Sequence, residues 1–345
     1  MRFFGRGKKT IGLDIGSGLI KLVVIDHSGA EPELVKIALT PVLADAIVEG
    51  EVMDPGIVAE AIRGLFVTGG VKQKQVTCAV GGRDVIVKKI QMDRMKEADA
   101  REVIRWEAEQ HVPFDMENVE LDFQILDPDA EGLQMNVLLV AAKRELVEQK
   151  TTLLTDAGLQ PTVIDVDAFA LHNAFEVNYP DEQRGMVGLL NIGHEVTNVN
   201  ILEDGVPILT RDLAIGTRKF REDLQRERGL SAEDAERMLQ SFERHETLDP
   251  YVESRGEEMA VGIERAAAFL QTGSRSGGMS RIYTSGGGSR IPGLGAVLAD
   301  RLHVTVEQAN PIKNIKVKDG VFGDLAMDEV VPLLMLPVGL ALRKA

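Results

Sequence analysis

The chain has 345 residues, more than one hydrophobic core usually serves, so two or more domains are expected. Hydrophobic residues at 44% and charged residues at 27% place it among folded globular chains, and 4% aromatics is too few for a protein that stacks on nucleic-acid bases. With 39 Lys and Arg against 54 Asp and Glu, the formal net charge is −15, which repels phosphate polymers, so no nucleic-acid partner is expected.

The single Cys78 excludes an internal disulfide, and no charged segment leads into an apolar run and a cleavage site, so a cytoplasmic chain is expected. At the start, Phe3 and Phe4 lie among Arg2, Arg6, Lys8 and Lys9. This reads as a solvated basic tail, with contact to anionic lipid as the alternative. The apolar stretch 330–342 is shorter than a bilayer span and carries Pro332 and Pro337, so it is expected to be a buried C-terminal helix.

In chain order, apolar β-branched runs at 10–15 and 21–26 flank Gly16-Ser17-Gly18 and predict a hairpin with a glycine turn. A third strand is expected at 33–40. Asp54-Pro55 reads as a helix N-cap and first position, opening a helix to about Phe66 with Ile57, Val58, Ala61, Ile62 and Leu65 on one face. A strand at 75–80, with Cys78 in the core, ends at Gly81-Gly82. Beyond it, extended runs at 84–92, 119–126 and 135–142 and helices at 97–110 and 144–157 predict a small inserted α/β module.

A strand at 162–166 and a helix at 168–177 follow, then three strands at 185–192, 196–202 and 206–212. The middle of this part copies the start of the chain. Residues 11–18 (IGLDIGSG) and 188–195 (GLLNIGHE) each run an apolar strand into a small polar turn and back, which reads as an internal duplication. Charge-rich helical stretches at 216–244 and 255–270 predict a second, helical insertion. The chain then returns to a strand at 281–285, a run of three glycines, and a helix expected from Pro292 to Leu302.

Backbone N–H groups around Gly16, Ser17 and Gly18 can turn toward an anion, because glycine admits positive φ and projects nothing. Asp14 at the strand end would face a metal accompanying phosphates, and Lys21 on the return strand would supply a positive charge. An ordinary hairpin with an exposed Lys remains the alternative for this motif alone. Ser285-Gly286-Gly287-Gly288-Ser289-Arg290, a turn that can lie flat against an adenosine, makes a third glycine bend in order.

The order of these turns resembles the actin, sugar kinase and chaperone ATPase superfamily, and 14–21 (DIGSGLIK) resembles its first phosphate loop. The segments 104–114 (IRWEAEQHVPF), 121–123 (LDF), 191–200, 210–216 (TRDLAIG) and 338–343 resemble, more narrowly, the PilM family of type IV pilus assembly ATPases, related to the division protein FtsA.

The resemblance implies an α/β, actin-like (ribonuclease H-like) fold of two lobes with an inserted FtsA/PilM-type 1C domain. Its expected division is 1–83 with 159–184 (first lobe core, 1A), 84–158 (1C), 185–215 with 275–329 (second lobe core, 2A) and 216–274 (2B), with 330–345 packing back on the first lobe. It implies ATP with Mg²⁺ in the cleft, held by Gly16, Ser17, Gly18, Lys21, Asn191, Gly193, Gly286, Gly287, Gly288 and Arg290. Glu258 and Arg265 are candidates for adenine contact or for a solvated helix face. Asp14 is the candidate metal ligand, and Asp167 a candidate water-orienting residue or a helix N-cap.

Asn191 stands where active members usually carry Asp, and His194 and Glu195 occupy a tip where small residues are usual, so slow ATP hydrolysis at most is expected. His194 also reads as a surface turn residue, and Trp106 as core or as part of a partner groove. The implied partner is the N-terminal cytoplasmic peptide of the inner-membrane protein PilN, with the motor ATPases PilB and PilT and self-association as further partners. The expected location is the cytoplasm at the inner face of the inner membrane, reached through partners. A small-molecule kinase and an FtsA-like filament are the alternatives; Asn191 counts against the first, and the lack of a linker and amphipathic tail helix against the second.

Overall fold

A computed structural model describes residues 9–129, 131–241, 245–268, 270 and 278–343. The basic tail up to Lys8 and the boundary drawn at 274 lie outside the described residues. Strands β1 (Lys9–Ile15), β2 (Leu19–Asp26) and β3 (Glu33–Pro41) form an antiparallel meander whose first turn is Gly16-Ser17-Gly18. A short hairpin of β4 (Ile47–Val48) and β5 (Glu51–Val52), absent from the sequence reading, follows.

Helix α1 (Pro55–Thr68) starts as expected, with Pro55 at its first position and the Ile57 N–H donating to Asp54 Oδ1 at 3.0 Å. It buries Val58, Ala59, Ile62, Leu65 and Phe66. Ile57, expected on that face, is 37% exposed, because five residues of helix turn it about 140° away from Ile62.

After β6 (Gln75–Val80) come β7 (Val85–Asp93), α2 (Glu97–Glu109), β8 (Val119–Ile125) and β9 (Gln134–Lys143). The last three strands form a sheet in the order β7-β9-β8, and α2 closes it over Ile90, Met92, Ile104, Val137 and Leu139. Helix α3 (Arg144–Asp156) turns back to place Leu153 and Leu154 in the core beneath α1, so it leaves the inserted sheet for the first one. Trp106 on α2 is 75% exposed, which removes the core reading of that residue.

The second half runs β10 (Gln160–Val166), α4 (Asp167–Asn178), β11 (Met186–Ile192), β12 (Thr197–Glu203), β13 (Val206–Leu213), α5 (Thr217–Arg228), α6 (Ala232–Gln240) and α7 (Asp249–Ala268). The stretch expected as one helix from 216 is broken at Gly229, whose φ of +67° ends α5 with a left-handed cap. Next are β14 (Arg281–Ser285), α8 (Leu294–Leu302), β15 (Thr305–Gln308), β16 (Lys316–Val317), α9 (Met327–Val330) and α10 (Met335–Leu342). Helix α8 starts at Leu294, not Pro292, because residues 287–290 form a 3-10 turn and Gly293 is left-handed at φ +86°.

The expected single C-terminal helix is likewise divided, with a 3-10 turn over 331–334 between α9 and α10. Pro332 sits in that turn, and Pro337 in the first turn of α10, where a missing N–H costs nothing.

Two sheets repeat one topology. The first has the order β10-β6-β1-β2-β3-β16 and the second β13-β12-β11-β14-β15. In each, a three-stranded antiparallel meander is followed by a strand parallel to its first member, β6 beside β1 and β14 beside β11. The duplication read from residues 11–18 and 188–195 is therefore a duplication of fold.

Both faces of the first sheet are covered, which is why its strands are nearly continuously apolar. Ile11, Leu13, Ile20 and Leu22 face α1 and α3, while Val23 and Ile25 face α4 and α10. Helix α4 also touches the second sheet, and Val187, Leu189, Leu202 and Tyr283 of that sheet share a core with α4 and α10, so one core joins the two lobes. Phe175, Tyr179 and Tyr283 stack at its centre with ring centroids 4.8–5.2 Å apart.

Candidate functional site

The antiparallel register of β1 and β2 sets Asp14 directly opposite Lys21, and their side chains close to 2.6 Å between Oδ2 and Nζ. Both are largely buried, at 11% and 16% exposure. The Gly16 N–H donates to the Leu19 carbonyl and tightens the turn. A Cβ on Gly16 would stand 3.5 Å from Lys21 Nζ and 4.0 Å from Asp14 Oδ1, so glycine keeps the space between the turn and the charged pair open.

The equivalent tip of the second meander meets the first. A Cβ on Gly18 would stand 3.0 Å from His194, whose Nδ1 lies 3.1 Å from Thr217 Oγ1 at the start of α5. His194 is thus part of the junction between hairpins and not a free turn residue, and burial lowers the pKa of its ring. Gly193 N–H donates to the Val196 carbonyl, and the carbonyls of Gly193 and His194 accept the Thr217 and Arg218 N–H groups. The tip and the first turn of α5 are one rigid piece.

Asp167 opens α4, but the cap position is Val166 and carries no capping side chain, so the N-cap reading is corrected. The carboxylate packs instead on Gly81, where a Cβ would fall 2.2 Å from Oδ2. Burial, reinforced by Asp14 and Asp212, pushes the Asp167 carboxyl up to about 7. The folded chain therefore keeps a proton that the unfolded chain has released, and the stability this adds is complete at low pH and lost as pH rises through about 7. Asp167→Asn should flatten that decline and raise stability at about pH 8, as read from calorimetric unfolding across a pH series.

Asp212, quoted in the 210–216 segment but not singled out as a site residue, joins this group. It stands in register with Asn198 and, through it, with Asn191. Asn191 Nδ2 donates to Asn198 Oδ1 at 3.0 Å, and Asn198 Nδ2 to Asp212 Oδ1 at 2.9 Å. The ladder ends beside the Gly81-Gly82 turn, where a Cβ on Gly82 would stand 3.9 Å from Asp212 Oδ2, and burial raises the pKa of that carboxyl. The signal that could have found it is the period of two across three strands, which aligns polar residues facing the same side.

The three-glycine turn is reached through Asn191 and Ile192. A Cβ on Gly286 would fall 2.4 Å from the Ile192 carbonyl, and one on Gly288 2.1 Å from the Ile192 side chain. These two glycines are demanded by packing against β11, and Gly286 also donates its N–H to Pro332. Gly287 alone of the three presents an open face, its nearest neighbour being Leu333 at 3.8 Å. Arg290 follows and donates to the Gln240 carbonyl at the end of α6.

The structure thus brings Asp14, Lys21 and Asp167 together beside the Gly16-Ser17-Gly18 turn, and Asn191 and Gly193 beside the 286–288 turn, while Arg290 is turned to the end of α6. Glu258 and Arg265 line a cavity of about 550 Å³ that also takes in Asp212 and, from the first turn of α5, Lys219, and Glu258 is engaged there by Arg255 at 2.6 Å.

The sequence model for the type IV pilus assembly protein PilM matches residues 12–345. The chain belongs to that family. Among solved structures it is similar to a chain of the PilM-PilN type IV pilus biogenesis complex, at 30% identity over 98% of each chain and a TM-score of 0.85. More distant likenesses show the fold alone. The ethanolamine utilization protein EutJ from Carboxydothermus hydrogenoformans is 19% identical over 98% of this chain and 90% of its own, with a TM-score of 0.58. MreB 5 of Spiroplasma citri bound to AMPPNP is 12% identical over 97% and 95%, with a TM-score of 0.52. The fold is that of the actin-like ATPases, and no helix among the described residues is long and apolar enough to cross a membrane.

Proposed function

We propose that this member of the PilM family is a nucleotide-binding scaffold of type IV pilus assembly that takes the N-terminal cytoplasmic peptide of a PilN partner. The observation that carries the reading is the end-to-end likeness to the chain of the PilM-PilN complex, at 30% identity. The cytoplasm, at the inner face of the inner membrane, is the location this partner implies. Contacts with motors of the PilB and PilT kind and self-association extend the same proposal. The kinase and FtsA-like alternatives are not favoured by the family match.

The cleft residues fit a nucleotide triphosphate with a divalent cation. Gly16 keeps open a space edged by the Lys21 cation and the Asp14 carboxylate, Gly287 offers an open face, and the N-terminal turn of α5 lies beside the second tip. Lys21 and the backbone of Gly16–Gly18 would hold phosphate, Asp14 would hold Mg²⁺ through its water shell, and Asp167 would orient water beside it. The cation would neutralise phosphate charge there.

Asn191 is neutral and already committed, donating to Asn198 and lying 3.4 Å from Ser285 Oγ. It adds no charge for the cation, which supports slow hydrolysis and a nucleotide that acts as a conformational ligand. In calorimetric titration, a synthetic PilN N-terminal peptide should bind this chain with and without ATP, with affinities that differ between the two states. No binding heat in either would overturn the scaffold reading.

A further inference from the structure

The segment 42–53 between β3 and α1 does more than connect them. Its first residue donates the Val42 N–H to the Gly18 carbonyl, so it springs from the tip of the first hairpin. Ala46 and Ile47 root it in the first-lobe core. From there it reaches across to the tip of the second hairpin, where the Glu49 N–H donates to Glu195 Oε2.

On the second lobe, Glu195 is the hub. Its side chain is only 7% exposed and meets Arg218 Nη1 at 2.6 Å, and the same nitrogen lies 3.2 Å from Asp45 Oδ1 of the segment. Arg218 is oriented by a further bond from Nε to Glu222 on α5. These carboxylates hold the guanidinium firmly protonated. The segment is also tied to the Gly81-Gly82 turn, through Arg83 and Glu51 at 3.1 Å.

Asp45 and Glu49, the two residues that bridge the lobes, both have left-handed backbone, at φ +61° and +49°. Glu49 and Gly50, at φ +88°, are the two loop residues of the β4–β5 hairpin, whose tight turn takes positive φ at both, and Asp45 lies in a turn closed by the Ala46 N–H donating to the Leu43 carbonyl. These local turns set the backbone, and that backbone presents the Asp45 carboxylate and the Glu49 N–H to the second lobe.

We propose that residues 42–53 form a latch that closes the two lobes over the cleft without any ligand, by gripping the Glu195–Arg218 pair, and that a nucleotide enters or leaves only when the latch opens. The link to nucleotide rests on the function proposed above, whereas the closure itself rests on the contacts just described. The occupant of the second tip explains why it carries Glu195, where a small residue would suffice for a turn.

The test uses the whole chain with spin labels at Val67→Cys on α1 and Arg237→Cys on α6. Cys78, 1% exposed and with its thiol pushed up to about 11, stays unlabelled. Without nucleotide, pulsed electron paramagnetic resonance should give one short interlobe distance. Arg218→Ala should add a longer one with roughly a tenfold rise in the open population, and Asp45→Asn, which keeps a residue at ease with positive φ, should do so in part.

Release of a fluorescent ATP analogue should speed up in the same order. Unchanged distances in both variants would overturn the latch, and if Arg218→Ala does not fold, Asp45→Asn decides. Distances that shift while neither protein binds the analogue would keep the latch and sink the nucleotide reading.

Discussion

Lys21→Ala should weaken Mg-ATP binding by about a hundredfold, because it removes the cation that the β1–β2 register delivers to the cleft; a charged hydrogen bond of this kind is worth about 2–3 kcal/mol. Isothermal titration calorimetry measures the loss directly. The substitution also leaves Asp14 without its partner beside Asp167, so the chain itself should become less stable.

The double variant Asp14→Ala/Lys21→Ala separates the two effects. Stability should recover in part, since no charge is stranded, whereas ATP affinity should stay low. Asp14→Ala alone should weaken binding when Mg²⁺ is present. Unchanged affinity in Lys21→Ala would reject the phosphate site.

Gly339→Ala should destabilise the fold by about 3 kcal/mol or more, the cost of forcing backbone apart in a packed interior. A Cβ there would fall 1.7 Å from the Ala170 carbonyl oxygen, which belongs to α4 and has no rotamer to escape into. Gly12 on β1 makes the matching approach, with the Pro337 carbonyl 2.0 Å from its virtual Cβ.

The contact joins α10 on the first sheet to α4, which packs on the second, so the damage should reach both lobes. Gly64→Ala is the control: on the exposed face of α1 its Cβ meets nothing within 4 Å, and the gain in helix propensity should stabilise by roughly 0.5–1 kcal/mol. Thermal unfolding of the two variants beside the parent chain gives the comparison. Equal stability of Gly339→Ala and the parent would mean that α10 does not pack on α4 as described.

The site was legible where it depends on neighbours in sequence. A two-strand hairpin fixes which residues face each other, so Asp14 and Lys21 could be paired before any packing was known. That Glu258 and Arg265 share a cavity with Asp212 was not legible, because a helix pattern shows which of its faces is polar but not which side of a distant sheet it covers. The same limit hid the reason for Gly286 and Gly288, whose neighbour Ile192 lies almost a hundred residues earlier in the chain.

Strand and helix order and the repeated hairpin with its glycine turn follow from local chemistry: β-branched runs, glycine turns and the Asp54-Pro55 cap act over a few residues and carry their meaning with them. The meeting of Gly18 with His194, the crowding of Asp14, Asp167 and Asp212, and the bridge from Glu49 to Glu195 were decided by tertiary structure alone. They arise because α4 and α10 hold two similar sheets at one separation, and the distance between two folded halves is a property of their shared core, which no short window of sequence contains.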